Sequence, residues 1–513
     1  MNMTCESPDD DSIIKAIQHE NLKYIEECLT LETINNRYGS DSIPLLHLAL
    51  KLNKERVFQL LLEKGANAQI AYNGDPIIVS TANAGNRKLL RLLVKHGAKI
   101  NATGNRGNSA LMHAVLKKDL KMIKLLVRKG ANTEQKNDDK VNSRELSLAK
   151  GTMEITKFLK TAYERRLPPY IDGPHVKWNK HFNKAKVSYL VHDSIKQITK
   201  KITTSYTTKG DNLNFKGFAG DSNHYTISKD LPSTKINLDT SRSIFVMGDV
   251  HGDYHRLLLF LRKMKIIDSQ NNWTWGKNYL VFIGDIFDRG DQVTECLWLI
   301  YKLEKQAKNA GGDVVFILGN HELMVMENDL RYVAEKYYYL SEKLHLEYSQ
   351  LFQSDMELGR WLRSKPVMVK AGNILFVHGG ISPEILQYQL EMEDINSLVY
   401  RHLMWASEEI SDTTGFLLGY LGPLWYRGLI DDNRFFKKVK KTELEKILGH
   451  FGVEKIIVGH TNVPQISSFY DGSVIAIDIP FYRTGDKNIM QGLIISGGEL
   501  QIINYSGKKK PIP

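Results

Sequence analysis

Two different spacings of apolar residues divide the chain into two parts. In the first third, apolar residues recur at the interval of amphipathic helices, as in LLLEKGANAQ, LLVKHGAKIN and LLVRKGANTE. Beyond residue 240 they form short continuous runs rich in Val, Ile, Leu and Phe, which are typical of strands buried on both faces. The pattern predicts a helical part followed by an α/β part.

The helical part repeats with a period near 33 residues. Each unit has a small residue in a first helix, a leucine-rich second helix and then a glycine, which we expect to end that helix in a left-handed conformation. The glycines are Gly65, Gly97 and Gly130, and the small residues are Ala16, Ala49, Ala82, Ala114 and, less regularly, Ala149. Three clear repeats with a degenerate one on either side predict an all-α solenoid over residues 9–163.

This repeat, in which the segment LLHLA retains part of the first-helix signature, resembles the ankyrin repeat. The resemblance implies a stack that binds a protein partner through its turns and concave groove. The alternative is a stack that packs against the rest of the chain and binds nothing else. The repeat sequences do not identify the protein partner.

Residues 168–240 join the repeats to the second part. A Pro-Pro pair places the boundary near residue 167, and alternating polar and apolar residues beyond it predict short strands or hairpins. We therefore expect a second domain over residues 168–513, with an N-terminal extension over 168–240 and a core over 241–505.

Six apolar runs in this core end in polar residues that bind metals or titrate. The runs read SIFVMGDVHG, YLVFIGDIFDRG, DVVFILGNHE, ILFVHGG, KIIVGHT and VIAIDIP. Because sites in open α/β sheets lie beyond the carboxyl ends of the strands, we expect these side chains to gather on one edge. They are Asp249, His251, Asp285, Asp288, Asn320, His321, His378, His460 and Asp478. One such end is an ordinary turn, but six together favour a metal site.

The ligand types limit the choice of metal. Oxygen and imidazole without thiolate favour Mn²⁺, Fe or Zn²⁺ in a reactive site over a structural zinc centre. A bridging carboxylate allows two ions about 3.5–4 Å apart, which lower the pKa of bound water towards about 7. Asp253 and His255 are expected to begin the following helix instead of binding metal.

The composition argues against some classes of protein but does not identify the function. A hydrophobic content of 42%, a charged content of 25% and a net charge of +11 are ordinary for a globular protein and do not indicate a nucleic-acid binder. Three cysteines, Cys5, Cys28 and Cys296, favour a reducing compartment, and we expect a cytoplasmic protein. No stretch approaches the roughly 20 apolar residues of a membrane span.

The motifs GDVHG, GDIFDRG, GNHE, HGG and GHT, in this order, resemble the phosphoprotein phosphatase branch of the calcineurin-like metallophosphoesterases. The segments YIDGPHVKW, GNHELMVMENDLRYV and GPLWYRG carry a narrower resemblance to the Shewanella-like, bacterial-type phosphatases. The resemblance covers roughly residues 168–505. It implies an α/β sandwich of two central sheets flanked by helices.

The resemblance also implies a role for each polar residue. The first metal ion would be held by Asp249, His251 and Asp285, and the second by Asp285, Asn320, His378 and His460. His321 would be the general acid, oriented by Asp288, and the phosphate would be bound by Arg289, Arg427 and Asn320. Asp478 and Arg331 are weaker candidates.

The implied activity is a dinuclear-metal-dependent phosphoprotein phosphatase that uses metal-bound hydroxide, with Mn²⁺ as the expected metal and the repeats recruiting substrate. Leu318 stands where eukaryotic Ser/Thr enzymes usually carry arginine, and their inhibitor-contacting loop motif is not evident at 476–488, so the choice between phosphotyrosine and phosphoserine or phosphothreonine stays open. The alternatives are a nucleotide or dinucleoside-polyphosphate hydrolase and an inert ankyrin scaffold. Action as an effector inside a host cell is a further hypothesis.

Overall fold

The computed structural model describes residues 9–164, 167–208, 212–217, 224–231, 233–405, 410–480 and 489–512. The chain forms two compact units, Met1–Leu167 and Pro168–Pro513, which divide at the Pro-Pro pair. Cys5 and most of the loop at 476–488 lie outside the described residues.

Five helix pairs make up the described part of the first unit, and they confirm the all-α solenoid. The helices are α1 (Asp10–Gln18), α2 (Leu22–Cys28), α3 (Leu45–Lys51), α4 (Glu55–Glu63), α5 (Ile77–Asn83), α6 (Arg87–Lys95), α7 (Ala110–Leu116), α8 (Leu120–Arg128), α9 (Ser143–Lys150) and α10 (Met153–Glu164). Short strand pairs connect some of them: β1 (Arg37–Tyr38) with β2 (Ile43–Pro44), and β3 (Ala71–Tyr72) with β4 (Asp75–Pro76).

Small residues and left-handed glycines set the repeat geometry. The alanines at the repeat positions of the first four pairs are buried in the helix core. The glycines that follow α4, α6 and α8 have φ angles of +94°, +86° and +94°, which confirms the expected left-handed helix ends at Gly65, Gly97 and Gly130. In the last pair Ala149 is exposed and Ser147 is buried instead, so the extension of the alanine register to Ala149 is wrong.

The second unit contains seventeen strands and eight α-helices among its described residues. The strands are β5 (Tyr170–Trp178), β6 (Lys184–Asp193), β7 (Ile198–Thr207), β8 (Asn212–Lys216), β9 (His224–Ser228), β10 (Asn237–Leu238), β11 (Ile244–Met247), β12 (Tyr279–Phe282), β13 (Asp313–Phe316), β14 (Met368–Ala371), β15 (Ile374–Val377), β16 (Lys455–Val458), β17 (Ser467–Phe469), β18 (Val474–Ala476), β19 (Gln491–Ser496), β20 (Glu499–Asn504) and β21 (Lys509–Pro511). The helices are α11 (Tyr254–Lys263), α12 (Val293–Asn309), α13 (Asn320–Met326), α14 (Glu335–Leu344), α15 (Glu357–Arg363), α16 (Met392–Met404), α17 (Asp412–Leu418) and α18 (Lys441–Phe451).

Two six-stranded mixed sheets form the centre of this unit. Their strand orders are β13-β12-β11-β19-β20-β21 and β10-β14-β15-β16-β18-β17. Strands β11, β12 and β13 run parallel in the first sheet, as do β15, β16 and β18 in the second. Apolar side chains of both sheets share one core, including Val246, Val281, Phe376, Ile457 and Ile475. The α/β sandwich is therefore confirmed.

The N-terminal extension consists of strands, as its alternating pattern predicts. Strands β5, β6 and β7 form an antiparallel sheet, and β8 pairs with β9. The indole of Trp298 on α12 donates to the carbonyl oxygen of Pro174 at 2.9 Å, and the backbone N–H of Trp178 donates to Asp355 at 2.8 Å. The extension is thus anchored to the core of its own unit.

Two further features bear on the expected location of the protein. In the part of the chain that the structure describes, no helix is both long and apolar enough to cross a membrane. Cys296 is a buried free thiol. The location stays a prediction.

Candidate metal centre

The polar residues that follow the six predicted strands come together in the second unit. Asp249 and His251 follow β11, Asp285 and Asp288 follow β12, and the next strand ends carry Asn320, His321, His378, His460 and Asp478. All of them are buried. Three of the six strand ends belong to each sheet, so the side chains gather at a junction of two sheet edges and not at the single edge that we expected.

Asp285 is the residue shared by two groups of potential metal ligands. One group combines Asp285 with His251 and His321, and the other combines it with His378 and His460. One carboxylate oxygen, Oδ2, lies 3.8 Å from His251 Nε2 and 3.7 Å from His321 Nε2. The other, Oδ1, lies 3.2 Å from His378 Nε2. This carboxylate is therefore placed to bridge two ions.

The remaining predicted ligands lie beside these groups. Asp249 Oδ2 is 4.0 Å from His251 Nε2, and the backbone N–H of His460 donates to Asp249 Oδ1 at 3.4 Å. The side-chain oxygen of Asn320 lies 3.0 Å from His378 Nε2. The structure thus brings together all six residues that the sequence interpretation named as ligands.

Backbone carbonyls orient the imidazole rings. The Nδ1 of His251 donates to the carbonyl of Phe287 at 2.8 Å, and that of His378 donates to Ile283 at 2.7 Å, which turns both Nε2 atoms towards Asp285. In His460 the Nε2 atom lies 3.1 Å from the carbonyl of Trp425, and the Nδ1 atom lies 3.4 Å from Nη2 of Arg427. Such contacts fix the tautomer of a metal-binding histidine.

The backbone at the strand ends is strained. His251, Asp285, Asp288, Arg289 and His460 have φ angles of +50°, +55°, +69°, +65° and +60°, which non-glycine residues rarely adopt. Glycines make room for the ligands: a Cβ on Gly319 would lie 2.2 Å from Asp285 Oδ1, and one on Gly459 would lie 2.6 Å from Asp249 Oδ1. Strain of this kind is typical of functional sites.

Glu322 is a positioning residue that the sequence interpretation did not name. Its carboxylate accepts the backbone N–H groups of Asp285 at 2.9 Å, Ile286 at 2.8 Å and Phe287 at 3.1 Å. It also accepts the N–H of Gly319 at 2.7 Å, at the start of its own helix. Glu322 therefore ties the loop after β12 to the loop after β13. In the sequence, Glu322 of the GNHE motif is the third residue of a helix. That position predicts a contact that caps the helix and nothing more.

Buried carboxylates crowd this site with negative charge. Burial, followed by Asp478 and Asp285, raises the pKa of Asp249 well above its ordinary value. Burial and then Asp285 raise the pKa of Asp478 to about 6. For Asp285 burial acts in the same direction, but the neighbouring histidines, His378 foremost, outweigh it and hold its pKa well below the ordinary value. Positive ions would relieve this crowding.

His321 and Asp288 form a hydrogen-bonded pair. Nδ1 of His321 lies 2.5 Å from Asp288 Oδ2, and Nε2 points to Asp285. Burial lowers the pKa of His321, but Asp285 and Asp288 outweigh it, so the pKa lies above its ordinary value. Burial raises the pKa of Asp288. A pair with this geometry can present a proton on Nε2.

The arginines lie nearer the surface. Arg289 is exposed, and its backbone N–H donates to the carbonyl of Tyr332 at 2.9 Å. Arg427 is half-buried and donates from Nη1 to the carbonyl of His460 at 2.7 Å. Arg331 is exposed and paired with Asp329. As expected, Asp253 caps α11 and is not in the ligand groups.

The donor set fits a pair of divalent cations. Carboxylate, amide and imidazole groups suit hard or borderline ions, and no thiolate is among them. Asp285 lies in both groups, and two further buried carboxylates, Asp249 and Asp478, raise the number of oxygen atoms that are available to positive ions. The residues present therefore match a dinuclear centre, whose metal they do not identify.

Comparisons with known proteins agree with this chemistry. Residues 242–464 match the family model of the calcineurin-like phosphoesterases, and residues 46–137 match ankyrin repeats in three copies. A crystal structure of a cold-active protein-tyrosine phosphatase from a psychrophilic Shewanella species is similar at 33% identity, with a TM-score of 0.59, over 67% of this chain and 99% of that one. The chain belongs to the calcineurin-like phosphoesterase family.

Within this family the similarity extends to Shewanella-like protein phosphatases. Shewanella-like protein phosphatase 1 of Plasmodium berghei is 29% identical over 54% of this chain and 71% of its own. Shewanella-like protein phosphatase 2 of Arabidopsis thaliana is 27% identical over 46% of this chain and 70% of its own. The second unit is thus a metal-dependent phosphatase of the Shewanella-like branch, preceded by ankyrin repeats.

Proposed function

We propose that this metal-dependent phosphatase acts on phosphoproteins and hydrolyses phosphomonoesters of tyrosine, of serine and threonine, or of both. The observation that carries the proposal is the shared carboxylate of Asp285 between two buried ligand groups, next to the His321–Asp288 pair. Phosphoprotein phosphatases among the similar proteins support it. The sandwich alone does not decide a substrate.

The residues named above would hold two divalent ions, for which we propose Mn²⁺. When bound, such ions supply a reactive water at neutral pH and positive charge against the phosphate oxygens. Asp249, His251 and Asp285 would hold one ion, and Asp285, Asn320, His378 and His460 would hold the other. Glu322 would keep the loop that carries Asp285 in place through its three N–H contacts.

The protein's own proton donor is His321. Its Nε2 faces Asp285 and its Nδ1 is held by Asp288, so the ring is oriented to protonate the oxygen that leaves with the substrate side chain. The left-handed backbone at Asp288 presents its carboxylate to His321. With a proton from His321, the substrate side chain would leave as a neutral alcohol and not as an alkoxide.

Phosphate binding is assigned to Arg289, Arg427 and the amide of Asn320. A guanidinium group has a planar set of donors that matches two phosphate oxygens. Arg289 is exposed beside the centre, whereas the contact of Arg427 with His460 holds it at the second ligand group. Together they would neutralise the charge that builds up during transfer.

Substrate recruitment is the role that we propose for the ankyrin repeats. Stacked repeats present an extended surface that binds other proteins. A partner bound there would raise the local concentration of its own phosphorylated residues near the catalytic unit. This part of the proposal rests on the repeat family alone.

The experiment is hydrolysis by metal-free protein after addition of Mn²⁺, with three substrates side by side. They are a phosphotyrosine peptide, a phosphothreonine peptide and a dinucleoside polyphosphate. Turnover of a peptide supports the proposal, and turnover of the nucleotide alone contradicts it. Absence of any turnover, with no metal retained, would favour an ankyrin scaffold with an inert second unit.

A further inference from the structure

A cavity of about 230 Å³ lies in the second unit, between the three-stranded sheet of the N-terminal extension and the chain that follows α14. We refer to it as the extension pocket. Sites for drug-sized ligands usually measure about 300–1,000 Å³, so this pocket suits a smaller molecule. The residues that line it are distinct from the two ligand groups of the candidate metal centre, so it is a separate site.

The two walls of the extension pocket differ in polarity. The sheet contributes polar side chains from β5, β6 and β7, namely His175, Lys177, Ser188 and Lys201. The opposite wall is mostly apolar and includes Leu344, Leu351 and Met356. A ligand that matches both walls has one polar or charged group on a small apolar body.

His175 is the buried polar group of the extension pocket. Its side chain is 7% exposed, and its Nε2 makes no hydrogen bond within the part of the chain that the structure describes. Nε2 lies 3.6 Å from Asp172 Oδ2, which is too long for a hydrogen bond. Burial lowers the pKa of His175, so the ring is neutral at pH 7 and carries one N–H. A buried imidazole of this kind is stabilised by a ligand that accepts its N–H.

The charges around the extension pocket leave one cation without a partner. Lys201 is exposed, and none of the ion pairs among the described residues includes it. Lys177 is paired with Asp355 at 3.0 Å, and Asp172 is paired with Lys336 at 3.3 Å. A single uncompensated positive charge favours a ligand with a single negative charge.

The apolar wall of the extension pocket contacts a loop of the metal centre. This wall includes the 3₁₀ turn Tyr348–Phe352, and the ring of Phe352 lies 4.8 Å from that of Phe287. The carbonyl of Phe287 accepts the Nδ1–H of His251, a predicted metal ligand, at 2.8 Å. Two contacts therefore connect the pocket wall to the first ligand group.

The polar wall has a second connection to the metal centre. On β5, Asp172 precedes His175 by three residues and is held by Lys336. The same lysine donates to the carbonyl of Asp291 at 2.6 Å, two residues from Arg289. A ligand that holds β5 in place would thus also restrict the loop that carries this arginine.

We propose that the extension pocket binds a small organic monocarboxylate and that the bound carboxylate restricts the movement of the metal-centre loops. The carboxylate would accept the N–H of His175 next to the ammonium group of Lys201, and the apolar body would pack on Leu351 and Met356. The inference needs phosphatase activity but does not depend on which phosphorylated substrate the protein uses.

The test uses benzoate as the probe and benzamide, a neutral molecule of the same shape, as the ligand control. The variants are His175→Phe and Lys201→Gln, and Lys200→Gln is the matched control. Lys200 is also exposed on β7, but successive side chains of a strand point to opposite faces of the sheet, so it faces away from the pocket. Ligand-observed NMR measures binding, and hydrolysis of p-nitrophenyl phosphate measures activity.

The unaltered protein and Lys200→Gln should bind benzoate equally, and both should bind benzamide more weakly. His175→Phe should raise Kd for benzoate by about 10-fold or more, the usual loss for a hydrogen bond to a charged group. Lys201→Gln should raise it by about 2- to 5-fold, because the lysine is exposed. Saturating benzoate should lower KM for p-nitrophenyl phosphate by about 5-fold in the unaltered protein, since a restricted loop keeps Arg289 in place.

Three results would overturn the inference. Absence of benzoate binding, or equal Kd values in all four proteins, would mean that the extension pocket is not the site. Binding that depends on His175 and Lys201 without a fall in KM would refute the link to the metal-centre loops. Thermal unfolding identifies a variant that does not fold, and Lys201→Gln decides the outcome if His175→Phe fails. If the protein has no turnover at all, the proposed function fails, and the Kd values still decide whether the pocket binds carboxylates.

Discussion

His321 is the residue at which acid catalysis and metal binding can be separated. The substitution His321→Asn should lower kcat for a phosphothreonine peptide by about 10²- to 10⁴-fold, the usual contribution of general acid catalysis. The loss should be smaller for phosphotyrosine, because a phenol with a pKa near 10 leaves more readily than an aliphatic alcohol. Single-turnover kinetics on both peptides measures the difference.

Metal content is the control for this variant. His321 Nε2 lies 3.7 Å from Asp285 Oδ2, and geometry alone groups the imidazole with two ligands of the first site. If His321 is the acid, the variant keeps both ions while it loses activity. Loss of an ion together with activity would instead make His321 a ligand and leave the acid unassigned.

His47 carries the clearest pH dependence in the ankyrin unit. It is 5% exposed, and burial foremost lowers its pKa from 6.5 to about 4. Because the folded protein favours the neutral ring, the stabilisation is complete above pH 6.5 and is lost as the pH falls towards 4. Between pH 7.5 and pH 5 the free energy of unfolding should fall by about 2 kcal/mol.

Urea unfolding at pH 7.5 and pH 5 tests this prediction. Circular dichroism follows both units, whereas tryptophan fluorescence follows only the second, since all seven tryptophans lie beyond residue 167. The substitution His47→Gln removes the titrating group and should flatten the dependence of the circular dichroism transition on pH. An equal pH dependence with and without His47 would contradict the assignment.

At the scale of residues, the sequence predicted the polar side chains that directly follow a strand. It did not predict a residue whose hydrogen-bond partners lie far away along the chain. Asp249, Asp285 and His378 directly follow apolar strands, so the sequence predicted their positions at strand ends. The role of Glu322 could not be predicted, because the N–H groups that donate to its carboxylate lie 35 to 37 residues earlier in the chain.

Among the elements, α14 connects the N-terminal extension to the loop that carries Arg289. Lys336 at the start of this helix donates to the carbonyl of Asp291 at 2.6 Å. Its Nζ also lies 3.3 Å from both Asp172 on β5 and Glu295 on α12. Burial, partly offset by Lys336, raises the pKa of Glu295 to about 7. Lys336 therefore connects β5, α12 and the loop that carries Arg289.

The substitution Lys336→Met should destabilise the second unit and loosen this loop. Removing one partner of a buried ion pair leaves uncompensated charge and costs about 3–5 kcal/mol. Inorganic phosphate should also inhibit the variant more weakly, because Asp291 lies two residues from Arg289. Fluorescence-detected unfolding and phosphate inhibition measure the two effects. Lys336→Arg keeps the charge and should recover most of both, and inhibition equal in all three proteins would refute the link to the loop.

The elements themselves were predictable to different degrees. The period of 33 residues predicted the helix pairs because each repeat is a local unit, and Ser147 replaces the expected alanine only where the repeat degenerates. The continuous apolar runs predicted the six core strands. Their division between two sheets was not predicted, since strand pairing such as that of β11 with β19 joins residues about 250 positions apart.

For the whole molecule, metal removal should destabilise the second unit and leave the first unchanged. Ions that bind only the folded state add stability of about 2.7 kcal/mol at a concentration 100 times Kd. A chelator should therefore lower the thermal midpoint seen by tryptophan fluorescence, and Mn²⁺ should restore it. Asp285→Asn weakens both ligand groups and should show little response to Mn²⁺. An equal response in this variant would contradict a bridging role for Asp285.

The division of the ligands between two sheets has a mechanical consequence. Ions bound at three strand ends of one sheet and two strand ends of the other would link the two sheets, so metal affinity and sheet packing would be reciprocally coupled. A cavity made in the shared core, for example by Ile457→Ala, would then weaken metal binding without touching a ligand. In this fold, the fraction of the protein that has metal bound would therefore report how tightly the two sheets pack together.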